Sequence, residues 1–442
     1  MPEIEKDPRM PERPAAAVAG GDCPVNIDGF EWSHVRPQKL SRRHHGCGLI
    51  IPTDPMIPAD AAQSIVPSPG PETRVRTEEK RVSGGRRIAS GLVWAWVVTA
   101  ILSSAGCAPT IDEDVRSAGI GTARATVDPK PIPQFTQTEF VTADGQVLPL
   151  RKWLPQGEVR GVILALHGFN DYSNAFEAAG GAWAKRGIAT YAYDQRGFGA
   201  APGRGLWPGR AALAADAATA AQVLRHLYPG VPLYLLGDSM GGAVAIVAMT
   251  GESGTPVPDV DGIILTAPAV WGRATMDLLP RLALWAGVRL APGLTLTGQG
   301  LGIKASDNIA MLRALGRDPM VIKATRVDTI YGLVDLMDAA LDAAPFLDAS
   351  MLVMYGAKDE VVPKAPIRRF IASLPPQHRR RTRLAWYENG YHMLLRDLEG
   401  PVVVGDVASW ALAPARPLPS GADDSAAAAF LRGSGQISLL QP

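Results

Sequence analysis

Ser239, Asp359 and His392 are the residues of this chain whose types and settings suit nucleophilic chemistry. A serine hydroxyl is a poor nucleophile at neutral pH. It needs a base within hydrogen-bond reach and a carboxylate to orient that base. Ser239 stands in Gly237-Asp238-Ser239-Met240-Gly241-Gly242, between the apolar run 233–236 and an Ala- and Val-rich segment that reads as a buried helix. Strand, tight turn and helix in that order hold a serine in a strained backbone. Glycines two positions to either side leave no Cβ to clash as strand and helix approach. Asp359 follows an apolar strand-like run in MLVMYGAKDEVVP, and His392 follows another in WYENGYHMLLRD. Each is thereby placed past the carboxyl end of its strand, the edge at which open α/β sheets bind ligands.

Other groups suit these roles less well. Glu360, next to Asp359, is the nearest rival as the orienting acid. His226 lies in an expected helix ahead of Tyr228-Pro229-Gly230, and His378 in the basic run 377–381, so both are expected at the surface. Asp335, Asp338 and Asp342 recur at helical spacing in an insertion, while Asp194 opens DQRGFG after an earlier strand, where a turn role suits it. The oxyanion of a tetrahedral intermediate needs two fixed backbone N–H donors. One is expected from Met240, immediately after the serine, and the other from Phe169, in the loop His167-Gly168-Phe169 that His167 would shape.

The elements that must position these groups begin at Phe135. Strand-like stretches occur at 138–142, 147–153, 161–166, 188–193, 232–236, 262–267, 351–356 and 383–388, with helical segments at 174–186, 210–228, 240–250 and 392–412. The first two strands are close enough for a hairpin around Asp144-Gly145. The later alternation implies an α/β fold, a mostly parallel eight-stranded sheet with helices on both faces, over residues 135–412. Between Ala267 and Met351 the interval is too long for a simple crossover. A helical cap is expected at about 268–346, in which Leu278, Leu282, Trp285 and Leu290 either line a passage for an apolar substrate or pack the insertion onto the main domain.

With 442 residues, 47% hydrophobic and 20% charged, the chain has enough apolar residues for one large α/β domain plus appendages. A net charge of +1 gives no electrostatic case for a nucleic-acid partner. Cys23, Cys47 and Cys107 are odd in number and widely spaced, and His44-His45-Gly46-Cys47 has no second ligand group of matching spacing, so neither a disulfide framework nor a metal site is expected. Residues 1–80 lack sustained periodicity and are expected to be disordered or to precede the true start, with Val75 or Val82 as alternatives. Arg81, Arg86 and Arg87 then lead into the apolar run 88–106 and Cys107. That pattern describes a signal segment, or a membrane anchor if it is not cleaved. Residues 108–134 read as a tether and 413–442 as a disordered tail.

Five motifs, LALHGFND (164–171), YAYDQRGFGAAPG (191–203), LLGDSMGG (235–242), YGAKDEVVP (355–363) and GYHMLLRD (390–397), together resemble the monoacylglycerol lipase and lysophospholipase group of α/β-hydrolases, often labelled serine aminopeptidase S33. The resemblance covers roughly residues 135–412. It implies Ser239 as nucleophile, Asp359 as acid and His392 as base, a cap over the site, a small lipid or ester as substrate, and no metal or organic cofactor. Asp238 stands where many relatives carry histidine, which leaves substrate preference open. Acyl transfer, thioesterase, perhydrolase or peptidase chemistry would use the same acyl-enzyme. Dehalogenases and epoxide hydrolases would carry aspartate where Ser239 stands, and a non-catalytic binding module would be expected to have lost a triad member. Ser104-Ala105-Gly106-Cys107 resembles a bacterial lipoprotein signal, with a lipidated Cys107 as the mature terminus, although Ser104 stands where leucine is usual. Cleaved or not, the segment implies a membrane-attached catalytic part in the cell envelope, outside the cytoplasm.

Overall fold

In a computed structural model, the chain is described over residues 131–423 apart from 252, 253, 255, 299 and 301. The expected extension 1–80, the segment 81–107 with Cys107, residues 108–130 of the tether, and 424–442 lie outside the described residues. The strands are β1 (Gln134–Phe135), β2 (Glu139–Val141), β3 (Val147–Trp153), β4 (Gly161–Leu166), β5 (Ile188–Tyr193), β6 (Leu233–Asp238), β7 (Gly262–Thr266), β8 (Thr295–Thr297), β9 (Ala324–Arg326), β10 (Met351–Gly356) and β11 (Thr382–Tyr387). The helices are α1 (Glu177–Ala184), α2 (Arg210–Leu227), α3 (Met240–Ala248), α4 (Leu278–Leu290), α5 (Ile309–Arg317), α6 (Val327–Ala343), α7 (Lys364–Ser373), α8 (Pro376–Arg379) and α9 (Gly400–Leu412).

Nine strands make one sheet in the order β1-β2-β3-β5-β4-β6-β7-β10-β11. Pairing is antiparallel from β1 to β5 and parallel from β5 onward. The strand beyond the eight expected is β1, whose two residues are too few to show an alternation. Every residue of β4, β5, β6 and β10 is buried, which is why these strands are mostly apolar along their whole length instead of alternating. Their side chains alternate between two cores: Val162, Leu164 and Leu166 meet α2, α3 and α6 on one face, while Ile163 and Ala165 join α1 and α9 on the other. After β4 the chain continues to β5 on one side, and β6 then pairs with β4 on the other. The order therefore reverses at β4, and it is outside the carboxyl ends of strands at such a reversal that open α/β sheets take their ligands.

The insertion expected as a cap divides in two. Helix α6 is a core helix: Val334, Leu336, Met337 and Ala340 are buried with α3 in the first core. The part before it stands outward, where α4 buries only Val288. Leu278, Leu282, Trp285 and Leu290 are 38–84% exposed, so they lie at the surface and do not pack the insertion into the core.

Three further expectations change. The helix expected over 392–412 begins at Gly400, because Pro401 fits only the first turn and residues 391–399 are held as a loop by Asp397. His378 is buried, its Nδ1 3.1 Å from the Asp348 carboxylate, because Pro375 and Pro376 start a short helix that turns it inward. The tail expected to be disordered is packed as far as Asp423. Leu418 and Ala422 are buried, and the Ala422 carbonyl accepts the Trp386 N–H at 2.9 Å, which occupies the free edge of β11.

Candidate active site

Ser239 links β6 to α3 with φ 50° and ψ −112°, a conformation that L residues rarely adopt. Neighbouring backbone holds it there. The Ser239 N–H donates to the Thr266 carbonyl at 2.9 Å, and its own carbonyl accepts the N–H groups of Gly242 and Ala269, each at 2.9 Å. The glycines of the motif are required by space: a Cβ on Gly237 would lie 2.3 Å from the Gly241 carbonyl oxygen, and one on Gly241 would lie 2.0 Å from that of Leu166.

The structure brings the other two residues to this serine. His392 Nε2 is 2.9 Å from Ser239 Oγ, and His392 Nδ1 is 2.9 Å from Asp359 Oδ2. The other carboxylate oxygen of Asp359 accepts the N–H groups of Val361 at 2.8 Å and Val362 at 2.9 Å. The acid is thus fixed from both sides, and its side chain is fully buried. Nδ1 facing a carboxylate carries the proton, so Nε2 is left as an acceptor for the serine hydroxyl. Burial alone would lower the His392 pKa, but the charge and hydrogen bond of Asp359 outweigh it and, with Asp238, hold the imidazole above its ordinary value.

The rivals lie elsewhere or serve other ends. Glu360 is exposed and accepts the Lys304 N–H at 2.7 Å. His226 and Asp342 are exposed, and Asp335 and Asp338 pair with Arg273 at 2.6 and 2.5 Å. Asp194 accepts the N–H groups of Ser173 and Ala200, at 3.0 and 2.8 Å, in a turn. Buried His167 shapes its loop: its Nδ1–H donates to the Gly168 carbonyl at 2.8 Å and its Nε2 accepts the Gln195 N–H at 2.9 Å. Burial lowers its pKa, in keeping with a neutral ring.

Gly168 lets this loop close on the turn of Ser239, since a Cβ there would lie 3.4 Å from that of Ser239. Phe169 follows directly. Among the described residues its N–H donates to no backbone carbonyl. The N–H of Met240, first residue of α3, has no acceptor within the helix. Among the described residues, then, neither of these two amides donates to a backbone carbonyl, and α3 begins there with the positive end of its dipole.

Some structural partners of the site are not singled out by the sequence motifs alone. Asp171 and Arg396 form a bridge of 2.6 Å between the loop of Phe169 and the loop of His392. Both lie in quoted motifs, HGFND and HMLLRD, where opposite charges in two converging loops are the available signal. Asp238 is buried behind the serine and accepts the Thr266 hydroxyl at 2.7 Å. Burial pushes its carboxyl up, against the pull of Arg396 and Thr266. Among the described residues no three His, Cys, Asp or Glu side chains gather as metal ligands would.

Comparison with known families places this geometry. The family described as serine aminopeptidase, S33 matches residues 157–399, more than half of the chain. The chain belongs to that family. This S33 protein is 25% identical over 289 residues to a monoacylglycerol lipase of Mycolicibacterium smegmatis, covering 62% of this chain and 96% of the relative. It is 26% identical over 284 residues to the human monoglyceride lipase, covering 61% and 88%. A carboxyl esterase from Bacillus coagulans, solved with glycerol, superposes with a TM-score of 0.51 at 17% identity, over 63% of this chain and 97% of that one. The S33 chain has the α/β-hydrolase fold, and Ser239, Asp359 and His392 lie within the matched span.

Proposed function

We propose that this protein hydrolyses carboxylic esters of small lipids, monoacylglycerols foremost, through an acyl-enzyme on Ser239. One observation carries the reading: the unbroken relay from Ser239 Oγ to His392 to Asp359, with both steps at 2.9 Å. Ser239 Oγ attacks the ester carbonyl carbon while its proton passes to His392 Nε2, and the carbonyl π electrons move onto the oxygen. The amides of Phe169 and Met240 hold that oxyanion. Collapse of the intermediate breaks the bond to the alcohol, which leaves with the proton from His392. Water then repeats the sequence on the acyl-enzyme and frees the acid and Ser239.

Substrate class is supported by the lipases among the relatives and by the outward apolar face of α4, where Leu279 and Leu290 are 77% and 84% exposed beside Arg281 and Arg289. Such a face suits an amphiphilic substrate. The apolar run 88–106, with Cys107 as lipid acceptor, would tether the enzyme to the membrane of the cell envelope. The test is a panel of monoacylglycerol, lysophospholipid, p-nitrophenyl, thioester and aminoacyl-amide substrates, run on the intact chain and on Ser239→Ala. Turnover fastest on monoacylglycerols and abolished by the substitution is expected. Amide or thioester turnover exceeding ester turnover would overturn the substrate class. Intact mass of membrane-extracted protein, with and without Cys107→Ser, tests the tether.

A further inference from the structure

Residues 304–308 of the insertion lie along the loop that carries His392 and are bonded to it at several points. The Met393 N–H donates to the Ala305 carbonyl at 3.0 Å, the Asn308 side-chain amide to the Arg396 carbonyl at 3.0 Å, and the Leu398 N–H to Asp307 at 2.9 Å. At the centre is Asp397, which is 5% exposed. One of its oxygens accepts the hydroxyl of buried Ser306 at 2.5 Å. The other accepts the N–H of Tyr391, the residue before His392, at 2.7 Å. The same insertion grips the oxyanion loop: Asn170, next to Phe169, donates from its side chain to Thr325 Oγ1 at 2.7 Å, and its carbonyl accepts the Ile322 N–H at 2.9 Å.

We propose that Asp397 is a positioning residue for His392, joined through Ser306 to the insertion, so that the cap segment itself holds the imidazole in line with Ser239. This rests on the reading of Ser239, His392 and Asp359 as a catalytic relay. A buried carboxylate that satisfies a donor on each side braces both, because losing it strands a buried hydroxyl and a part-buried N–H. The brace ends one residue from the base. Misplacing a catalytic group by about 1 Å lowers the rate by about 100-fold, so the brace acts on turnover more than on substrate binding.

The test compares the wild-type chain with Asp397→Asn, Ser306→Ala and the pair, each checked for fold by circular dichroism. On a soluble p-nitrophenyl ester, Asp397→Asn is expected to lower kcat by about 10- to 100-fold with KM changed less than about threefold. Ser306→Ala lowers kcat in the same direction by less, and the pair is no slower than Asp397→Asn alone, because both residues act through one link. The far-downfield NMR signal of the proton between His392 and Asp359 shifts or broadens in both single variants. A role in stability alone would lower the melting temperature and leave kcat and that signal unchanged, which would overturn the proposal. Should Asp397→Asn fail to fold, Ser306→Ala decides the matter by the same two readings. The proton signal reports on His392 whether or not esters are turned over. An inert wild type therefore counts against the ester-hydrolase reading, while the signal in the variants still decides the role of Asp397.

Discussion

Two carboxylates stand side by side at positions 359 and 360, and only the first faces an imidazole. Asp359→Asn should keep the shape of the site but present an amide to His392 Nδ1, favouring the wrong tautomer, and so lower kcat by about 10³- to 10⁴-fold. Glu360→Gln, at an exposed side chain that keeps an acceptor for the Lys304 N–H, should leave kcat within about threefold. Steady-state kinetics of the two variants separates the roles. The base must be neutral to accept the serine proton, so kcat/KM should rise with pH through the His392 pKa. Because Asp359 and Asp238 raise that pKa, the midpoint should lie above the ordinary histidine value of about 6.5. Asp238→Asn removes one of those charges, retains an acceptor for Thr266, and should move the midpoint down. The sign for stability follows. A folded pKa above the unfolded one favours the folded state while the histidine is protonated, so this stabilisation is full below the unfolded pKa and is lost as pH rises through the folded one.

The turn between β6 and α3 stores strain that serves the site. Ser239→Gly, at φ 50°, should be inactive yet more stable than the native chain, by about 1 kcal/mol in urea unfolding. Gly241→Ala should do the reverse of stabilising: a methyl at 2.0 Å from the Leu166 carbonyl oxygen must push β4 and α3 apart, at a cost of about 1–3 kcal/mol or more. Elements of this kind are legible in the amino-acid sequence, because the turn needs glycines at fixed offsets and the central strands are buried on both faces. The three-residue relay is legible for the same reason, since each member follows its own strand. By contrast, Met393, Leu394 and Leu395 mimic the start of a helix, and long-range bonds, from Tyr391 to Asp397 and from Met393 to Ala305, keep the chain a loop there. The link from Ser306 to Asp397 crosses 91 residues of sequence, and Lys304-Ala305-Ser306-Asp307-Asn308 carries no periodicity that would announce it.

At the scale of the fold, one sheet brings groups from four distant segments together at the carboxyl ends of its strands, and the insertion binds two of the loops that meet there. The segment that follows α9 as far as Asp423 packs on the same core: Leu418→Ala should destabilise by about 2–5 kcal/mol in urea unfolding while leaving kcat per folded molecule unchanged. In the proposed reaction a single hydroxyl of this fold, that of Ser239, becomes covalently acylated. Peptide mass spectrometry of the intact chain after exposure to a fluorophosphonate tests that claim most directly. One adduct per molecule is expected on the peptide containing Ser239, absent in Ser239→Ala and formed far more slowly in His392→Ala. A correctly folded wild type that gains no adduct, or gains it on another residue, would contradict the account.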